Sequence, residues 1–168
     1  KVVASEKNIA KLVHAIKTTK SREEIRNAAA KLAENDGVAV DSLIALLGHE
    51  NVFIRWYCAD ALGSVKSDKI VKPLLKLLDD PEQTVRRMAA GSLGKSGSSE
   101  AVQPLINALL DSAKGIQSYA ARALGVLGSQ DAVQPLIKVL QSEDQTTSRW
   151  AAWALGEIGA KETIEPLI

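Results

Sequence analysis

The protein has 168 residues, a formal net charge of +1 and a hydrophobic content of 46%, while aromatic residues make up only 4%. This length suits one domain or one repeat array, and the core must rely on aliphatic side chains because aromatic ones are few. A single cysteine excludes a disulfide framework and a zinc site with several thiolates inside this chain. The apolar runs fall far short of the roughly 20 residues that span a bilayer.

A 31-residue repeat organises the sequence. One marker of the repeat is a glycine, at Gly63, Gly94, Gly125 and Gly156. A second marker is a proline followed by two large aliphatic residues, at Pro73, Pro104, Pro135 and Pro166. Two independent markers with one period predict tandem copies of a single structural unit.

The period divides the whole chain, 1–168, into one array of helix pairs. Residues 1–20 are predicted to be a leading half-repeat with an apolar face at Ile9, Leu12, Val13 and Ile16. Full helix pairs are predicted at 21–48, 51–79, 82–110 and 113–141, and a truncated repeat at 144–168. Neither end of the array shows a polar cap, so we expect Leu155 and Ile158 to lack cover and the ends to support end-to-end self-association. We therefore expect the chain to be a piece of a longer array, a shortened form of it, or the ordered part of a larger chain.

Capping signals and small residues define each unit. Ser21 and Glu24 have the spacing of a capping box, and Asp80 before Pro81 predicts an N-cap. Glycines in the left-handed conformation are predicted to end first helices at Gly97, Gly128 and Gly159. Small residues recur on the first helix, so that neighbouring first helices can approach closely. Cys58 replaces alanine in one such column and is predicted to be a core residue rather than a nucleophile.

The repeat resembles HEAT repeats of the short, phycobilisome-lyase-like kind. The resemblance covers about residues 21–168 and depends on the pattern Arg-x-x-Ala-Ala-x-Ala-Leu-Gly-x-Ile-Gly, followed by Ala-Val-x-Pro-Leu-Ile. It implies an all-α fold, a right-handed α-solenoid of stacked antiparallel helix pairs. For function it implies anything from scaffold proteins to lyase subunits, since such repeats host many activities.

Some proteins with similar repeats are di-iron hydroxylases, in which His-Glu pairs recur on the first helix. The corresponding pairs here are Trp56-Tyr57, Arg87-Met88, Ser118-Tyr119 and Arg149-Trp150. The one His-Glu pair, His49-Glu50, precedes a helix and does not recur, and the chain has only two histidines. We therefore expect no metal site, no cofactor and no enzymatic activity, with a lyase-subunit role as the main alternative.

Two surfaces are candidate binding sites. The outward side of the first helices is predicted to carry a ladder with two flanking residues, namely Tyr57, Met88, Tyr119 and Trp150, with Arg122 and Trp153 beside them. Exposed aromatic residues with an arginine are typical of interfaces, although the rings can also serve as packing between adjacent helices. The outward side of the second helices, which the resemblance implies is concave, carries Lys72, Lys76, Gln103, Asn107, Gln134 and Lys138. A solvated helix face is the alternative interpretation of this second group.

The leading functional prediction is a non-catalytic scaffold that binds a protein or peptide along the solenoid. Residues 1–31 are basic and residues 129–168 acidic, so the chain lacks the uniform basic groove that nucleic acid requires. We expect no nucleic acid, no membrane association and a cytoplasmic location. The alternative is a subunit of a bilin lyase-like or phycobilisome-associated protein. In it, the aromatic ladder would stack on an open-chain tetrapyrrole and Arg122 would pair with its propionates.

Overall fold

The computed structural model describes residues 5–111 and 115–159, which form α-helices joined by short turns. The helices are α1 Glu6–Thr18, α2 Arg22–Ala33, α3 Val38–Leu46, α4 Val52–Leu62, α5 Val71–Lys76, α6 Gln83–Ser96, α7 Val102–Leu110, α8 Gln117–Leu127, α9 Val133–Val139 and α10 Gln145–Ile158. Single turns of 3-10 helix lead into α5, α7 and α9, and another follows α5. No β-strand occurs in these two stretches. The predictions for Pro166 and for the remainder of the last unit lie outside the described residues.

The helices form two layers, because successive helices alternate between them. In the layer of first helices, α2, α4, α6, α8 and α10 each contact the next. The second helices α1, α3, α5, α7 and α9 each pack against the first helix that follows. This is the all-α solenoid that the period predicts, in which each unit is covered by its neighbours.

The core lies between the two layers and is aliphatic. Leu62, Leu93 and Leu124 hold the same position in successive first helices, and all three are completely buried. The second helices contribute Leu74 and Leu105, which are equivalent in the same way and have no exposure. Within the described residues, no tryptophan, tyrosine or phenylalanine side chain is buried. The core is thus filled in the way the low aromatic content predicts.

Glycines allow the first helices to approach closely. A Cβ atom added to Gly94 would lie 2.8 Å from the Ala123 Cα atom, and one added to Gly125 would lie 2.8 Å from the Ala154 Cα atom. Such contacts are too short for an alanine without a backbone shift. The next first helix therefore packs directly on the glycine, as the columns of small residues predicted.

The helix ends confirm part of the capping prediction. Gly97, Gly128 and Gly159 have φ values of 73°, 66° and 69°, so all three adopt the predicted left-handed conformation. The Ser21 hydroxyl accepts a hydrogen bond from the Glu24 N–H group at 3.3 Å, which is half of a capping box. The Glu24 carboxylate does not complete the box, because it accepts a hydrogen bond from the Thr19 hydroxyl instead.

The prediction that Asp80 caps α6 is wrong. The helix begins at Gln83, and Glu82 occupies the capping position. The Asp80 side chain is buried and accepts a hydrogen bond from the Glu82 N–H group at 2.9 Å, which shapes the turn before the helix. Its remaining hydrogen-bonding capacity is used by Arg55 on the preceding first helix, a partner that the local sequence pattern does not indicate.

The expectation that Leu155 and Ile158 lack cover is also wrong. Their exposed fractions are 1% and 8%, so both side chains are buried. The exposed small residues of α10 are Ala152 and Gly156, which are equivalent to Ala121 and Gly125 of α8. In the described part of the chain, no helix has both the length and the apolar character needed to cross a membrane.

Candidate functional site

One face of the first-helix layer carries all the aromatic side chains of the protein. They are Phe53, Trp56 and Tyr57 in α4, Tyr119 in α8, and Trp150 and Trp153 in α10. None is buried, and Tyr119 and Trp153 are 39% and 38% exposed. Phe53, Trp56, Tyr57 and Trp150 pack against the edge of the core and keep part of their surface accessible, whereas Tyr119 and Trp153 are exposed.

Helical spacing explains why these side chains share one face. In α4, positions 53, 56, 57 and 60 follow the i, i+3, i+4, i+7 pattern of a single helical face, whereas Leu62 and Ala59 point into the core. The repeat carries this face from one first helix to the next. We define the first-helix stripe as Phe53, Trp56, Tyr57 and Asp60 in α4, Thr84, Arg87, Met88 and Gly91 in α6, Ser118, Tyr119 and Arg122 in α8, and Thr146, Arg149, Trp150 and Trp153 in α10. None of these residues is buried.

Arginine side chains lie over three of the rings. The Arg22 Cζ atom is 3.6 Å from the centroid of the Phe53 ring. The corresponding distances are 5.7 Å from Arg87 to Tyr119 and 5.2 Å from Arg122 to Trp150. In each pair the arginine comes from one first helix and the ring from the next, so these cation–π contacts join adjacent repeats. The rings therefore contribute to packing between repeats and still present an open face to solvent.

The Arg87 side chain is held in place by a second contact. Its Nε–H group donates a hydrogen bond to the Gly115 carbonyl at 3.1 Å, and the Gln83 amide donates to the same oxygen at 3.1 Å. Gly115 has a φ of 59°, a conformation that other residues rarely adopt. The turn before α8 thus fixes a guanidinium group of α6 near the centre of the stripe.

Two cavities open on the first-helix stripe at equivalent positions of different repeats. One, of about 220 Å³, is lined by Arg22, Val52, Phe53, Trp56, Tyr57 and Thr84. The other, of about 330 Å³, is lined by Thr146, Arg149, Trp150 and Trp153. Tyr57 and Trp150 hold the same position three repeats apart, as do Trp56 and Arg149.

Each cavity has an edge-to-face aromatic pair in its wall. The ring centroids of Trp56 and Tyr57 are 4.8 Å apart with an interplanar angle of 83°. Those of Trp150 and Trp153 are 5.3 Å apart at 89°. Both values lie in the range favoured for interacting aromatic rings, so each pair forms a fixed apolar wall.

The first-helix stripe and its border are more cationic than anionic. Arginines are present at four places, Arg22, Arg87, Arg122 and Arg149. The stripe carboxylate Asp60 forms an ion pair with Lys95 at 3.3 Å, and Glu157 is exposed one turn beyond Trp153. The planar guanidinium group suits bidentate binding of a carboxylate, so the surface favours an anionic apolar partner.

The second group of predicted residues lies in the other layer. We call it the second-helix row, and it consists of Lys72, Lys76, Gln103, Asn107, Gln134 and Lys138 on α5, α7 and α9, all of them exposed. The Gln103 amide donates a hydrogen bond to the Asn107 side-chain oxygen at 3.2 Å. The structure thus places all twelve predicted residues on accessible surfaces, but on two separate layers rather than in one site.

Two features of the described residues bear on catalytic chemistry. No group of three or more potential metal ligands occurs among residues 5–111 and 115–159. Cys58 is completely buried, and this burial raises the pKa of its thiol to about 12, which disfavours the nucleophilic thiolate at neutral pH. The His49 Nδ1 atom accepts a hydrogen bond from the Asn51 N–H group at 3.1 Å, an arrangement that stabilises the turn before α4.

Sequence reasoning missed several members of this surface. It did not include Arg22, Trp56, Arg87 or Arg149, which the structure places in the cavities or over the rings. The period itself contained one usable signal, because Arg22 and Phe53 are separated by one full period and so occupy adjacent repeats. The contacts between arginines and rings join side chains of neighbouring repeats rather than side chains along one helix.

The chain is similar to known repeat proteins in sequence pattern and fold. The family model for HEAT repeats matches residues 40–116 and 104–168. Among solved structures, the chain resembles the complex of CpcE and CpcF of phycocyanin lyase from Nostoc sp. PCC7120, with a TM-score of 0.76 and 24% identity over 95% of this chain and 68% of that chain. An engineered protein gives a TM-score of 0.57 and 25% identity over 90% of this chain and 79% of that one. Escherichia coli YibA gives 0.59 and 17% over 94% and 71%. No curated protein matches the sequence.

Proposed function

The chain belongs to the HEAT-repeat family, and from this premise we propose that it is a non-catalytic scaffold that binds a protein or peptide through the first-helix stripe. The single observation that carries the proposal is that all six aromatic side chains lie on this face and none is buried. Rings used for packing alone would be fully covered, whereas these rings keep accessible surface that a partner can contact.

The composition of the stripe supports a protein partner. Tryptophan, tyrosine and arginine are enriched among the residues that dominate binding energy at protein interfaces. The stripe combines these types in α4, α8 and α10, with Met88 between them as an adaptable apolar contact. The second-helix row is a competing surface within the same proposal, but its lysines and amides lack an apolar centre.

Affinity purification with two matched double variants tests the proposal. The wild-type chain, a Trp150→Ala/Trp153→Ala variant and a Lys76→Glu/Lys138→Glu variant are each used as bait, and co-eluting proteins are identified by mass spectrometry. We expect a partner that the wild type and the lysine variant retain and the tryptophan variant loses. Circular dichroism verifies that both variants are folded. Loss only in the lysine variant would move the site to the second-helix row, and no capture above an unrelated solenoid would contradict the scaffold function.

A second candidate function is that of a bilin lyase-like subunit. It is favoured by the similarity in fold to a solved phycocyanin lyase complex. The cavity beside Trp150, with Arg122 over the ring at 5.2 Å, offers a stacking surface next to a cation. Such a pair suits a planar ligand that carries carboxylates, as the resemblance to phycobilisome-lyase-like repeats implies.

Absorption spectroscopy distinguishes the second candidate from the first. Biliverdin is mixed with the wild-type chain and with the Trp150→Ala variant, and the visible spectrum is recorded. A shift of the absorption maximum with the wild type, lost in the variant, would support the lyase-like role. An unchanged spectrum in both mixtures would leave the protein-binding scaffold as the proposal.

A further inference from the structure

We propose that the first-helix stripe binds one continuous, extended and acidic segment of a partner protein, with two apolar anchor residues that occupy the two cavities at the same time. This inference rests on the proposed scaffold function and specifies the partner. Its three supports are the equivalent positions of the cavities, the apolar walls of each cavity, and the arginines between them.

The positions of the cavities set the spacing of the anchors. One cavity lies on α4 and the other on α10, and α6 and α8 are between them in an unbroken series of contacts. Packed helices are about 8–10 Å apart, so three steps separate the cavities by about 24–30 Å. An extended chain advances about 3.3 Å per residue, so the two anchors are about seven to nine residues apart. A helix would need about 16–20 residues to cover the same distance.

The cavity walls select apolar anchors. Trp56 and Tyr57 line the first cavity together with Val52, and Trp150 and Trp153 line the second. Since the rings in each pair meet edge to face, a leucine or phenylalanine side chain can contact one ring face and one ring edge. Thr84 lines the first cavity and Thr146 the second, and both are small, exposed residues.

Charge in the central repeats selects acidic residues between the anchors. Arg87 and Arg122 lie on α6 and α8, and both are positioned over rings of the following helix. A guanidinium group that is already fixed loses less entropy when it binds a carboxylate. Space for the partner's main chain exists at Gly91, where an added Cβ atom would meet nothing within 4 Å. The carboxylate of Asp60, which would repel such a segment, is paired with Lys95.

Selection from a library of random peptides, each long enough to span both cavities, tests the inference on the wild-type chain. We expect the recovered peptides to share two apolar residues about seven to nine positions apart, with aspartate or glutamate between them. A synthetic peptide of this pattern then serves as the probe in titrations. Replacing one apolar anchor with alanine should weaken its binding about 100-fold, because the second contact is then no longer intramolecular.

Cavity-filling variants assign the binding to the stripe. Thr84→Trp and Thr146→Trp place a bulky ring at an exposed entrance, so folding is preserved while one cavity is blocked. Each should weaken the two-anchor peptide to the level of a one-anchor peptide, and Lys76→Glu/Lys138→Glu should leave its binding unchanged. A one-anchor consensus, a basic consensus, or binding unaffected by either cavity variant would overturn this inference but leave the scaffold function standing. Failure to recover any peptide would also overturn this inference, whereas the scaffold function is overturned only if the affinity purification described above captures no partner.

Discussion

The Arg55 guanidinium holds the Asp80 carboxylate in a two-pronged ion pair, with Nε–Oδ2 and Nη2–Oδ1 distances of 2.8 and 2.9 Å. Its Nη1 group also donates to the His49 carbonyl at 2.9 Å. Arg86, which holds the position of Arg55 in the next repeat, donates in the same way to the Asp80 carbonyl at 2.7 Å. The arginine at this repeat position thus donates a hydrogen bond to the main chain of the turn that precedes its own first helix. In one repeat, Arg55 also binds the Asp80 carboxylate in the turn that precedes the next first helix.

Replacing Asp80 with alanine should destabilise the protein by about 3 kcal/mol, because a buried guanidinium group then loses its counter-ion. The two side chains are only 11% and 4% exposed, and the hydrogen bond to Asp80 raises the pKa of Arg55. Urea denaturation followed by circular dichroism measures the change. Lys95→Ala is the matched control, since its ion pair with Asp60 is exposed and should contribute less than about 1 kcal/mol. Equal effects of the two substitutions would contradict this account.

Alanine at Gly94 and alanine at Gly91 should have opposite effects on stability, although both glycines lie in α6. At Gly94 the added methyl group meets the Ala123 backbone, and the required shift should cost about 1–3 kcal/mol. At Gly91 the added methyl group meets nothing within 4 Å, and the better helix propensity of alanine should raise the free energy of unfolding by about 0.5–1 kcal/mol. Thermal unfolding of the two variants tests the contrast, and a loss of stability in both would show that the helix spacing is not the cause.

The Cys58 thiol should react with a thiol reagent only after unfolding. Burial without an ionic partner raises its pKa to about 12, so the thiolate is scarce in the native protein at pH 8. Reaction with Ellman's reagent should be slow in buffer and rapid in concentrated urea, because the unfolded thiol has an ordinary pKa. Rapid reaction of the native protein would mean that α4 is accessible from solvent at this position.

The N-cap of α10 should give the protein a measurable acid sensitivity. Asp144 accepts hydrogen bonds from the Thr147 hydroxyl and from the Thr146 and Thr147 N–H groups, and these contacts lower its pKa below the ordinary value of 3.8. Since the folded-state pKa is lowered, this stabilisation is complete above the unfolded-state value and is lost as the pH falls through the folded-state value.

At pH 7, Asp144→Ala should cost about 1 kcal/mol, which is typical of a lost N-cap. Below about pH 4 the difference between this variant and the wild type should shrink, because the wild-type carboxylate becomes protonated. Denaturation curves recorded between pH 3 and pH 7 give the comparison. Asp144→Asn keeps an accepting oxygen that does not titrate, so the difference in unfolding free energy between Asp144→Asn and Asp144→Ala should change little with pH. A constant difference between Asp144→Ala and wild type across the range would contradict the assignment.

The fold was predictable because residues that pack in the same way recur with one period along the chain. Gly94 and Leu93 recur with this period, and so do the contacts they make, which is why the two-layer arrangement follows from the sequence. The pair formed by Arg55 and Asp80 was not predictable, because their separation along the chain has no counterpart in the period. Local capping rules therefore assigned Asp80 to the wrong role.

The candidate binding surface was only half predictable from the sequence. Helical spacing places Tyr57 and Trp150 on an outward face, and the structure shows both to be partly accessible. The period does not fix which cation lies over which ring. Arg122 lies over Trp150, whereas the residue one period after it is Trp153. Contacts between repeats with irregular separations are the part that a single sequence does not reveal.

The absence of aromatic rings from the core changes what intrinsic fluorescence can report. Trp56 lies at one cavity, and Trp150 and Trp153 lie at the other, so every indole in the protein borders a candidate contact. Their emission will respond to whatever touches this surface, with no background from an indole enclosed in the aliphatic interior. Variants that keep a single tryptophan, at one cavity or at the other, would then report without a label which end of the solenoid a partner contacts.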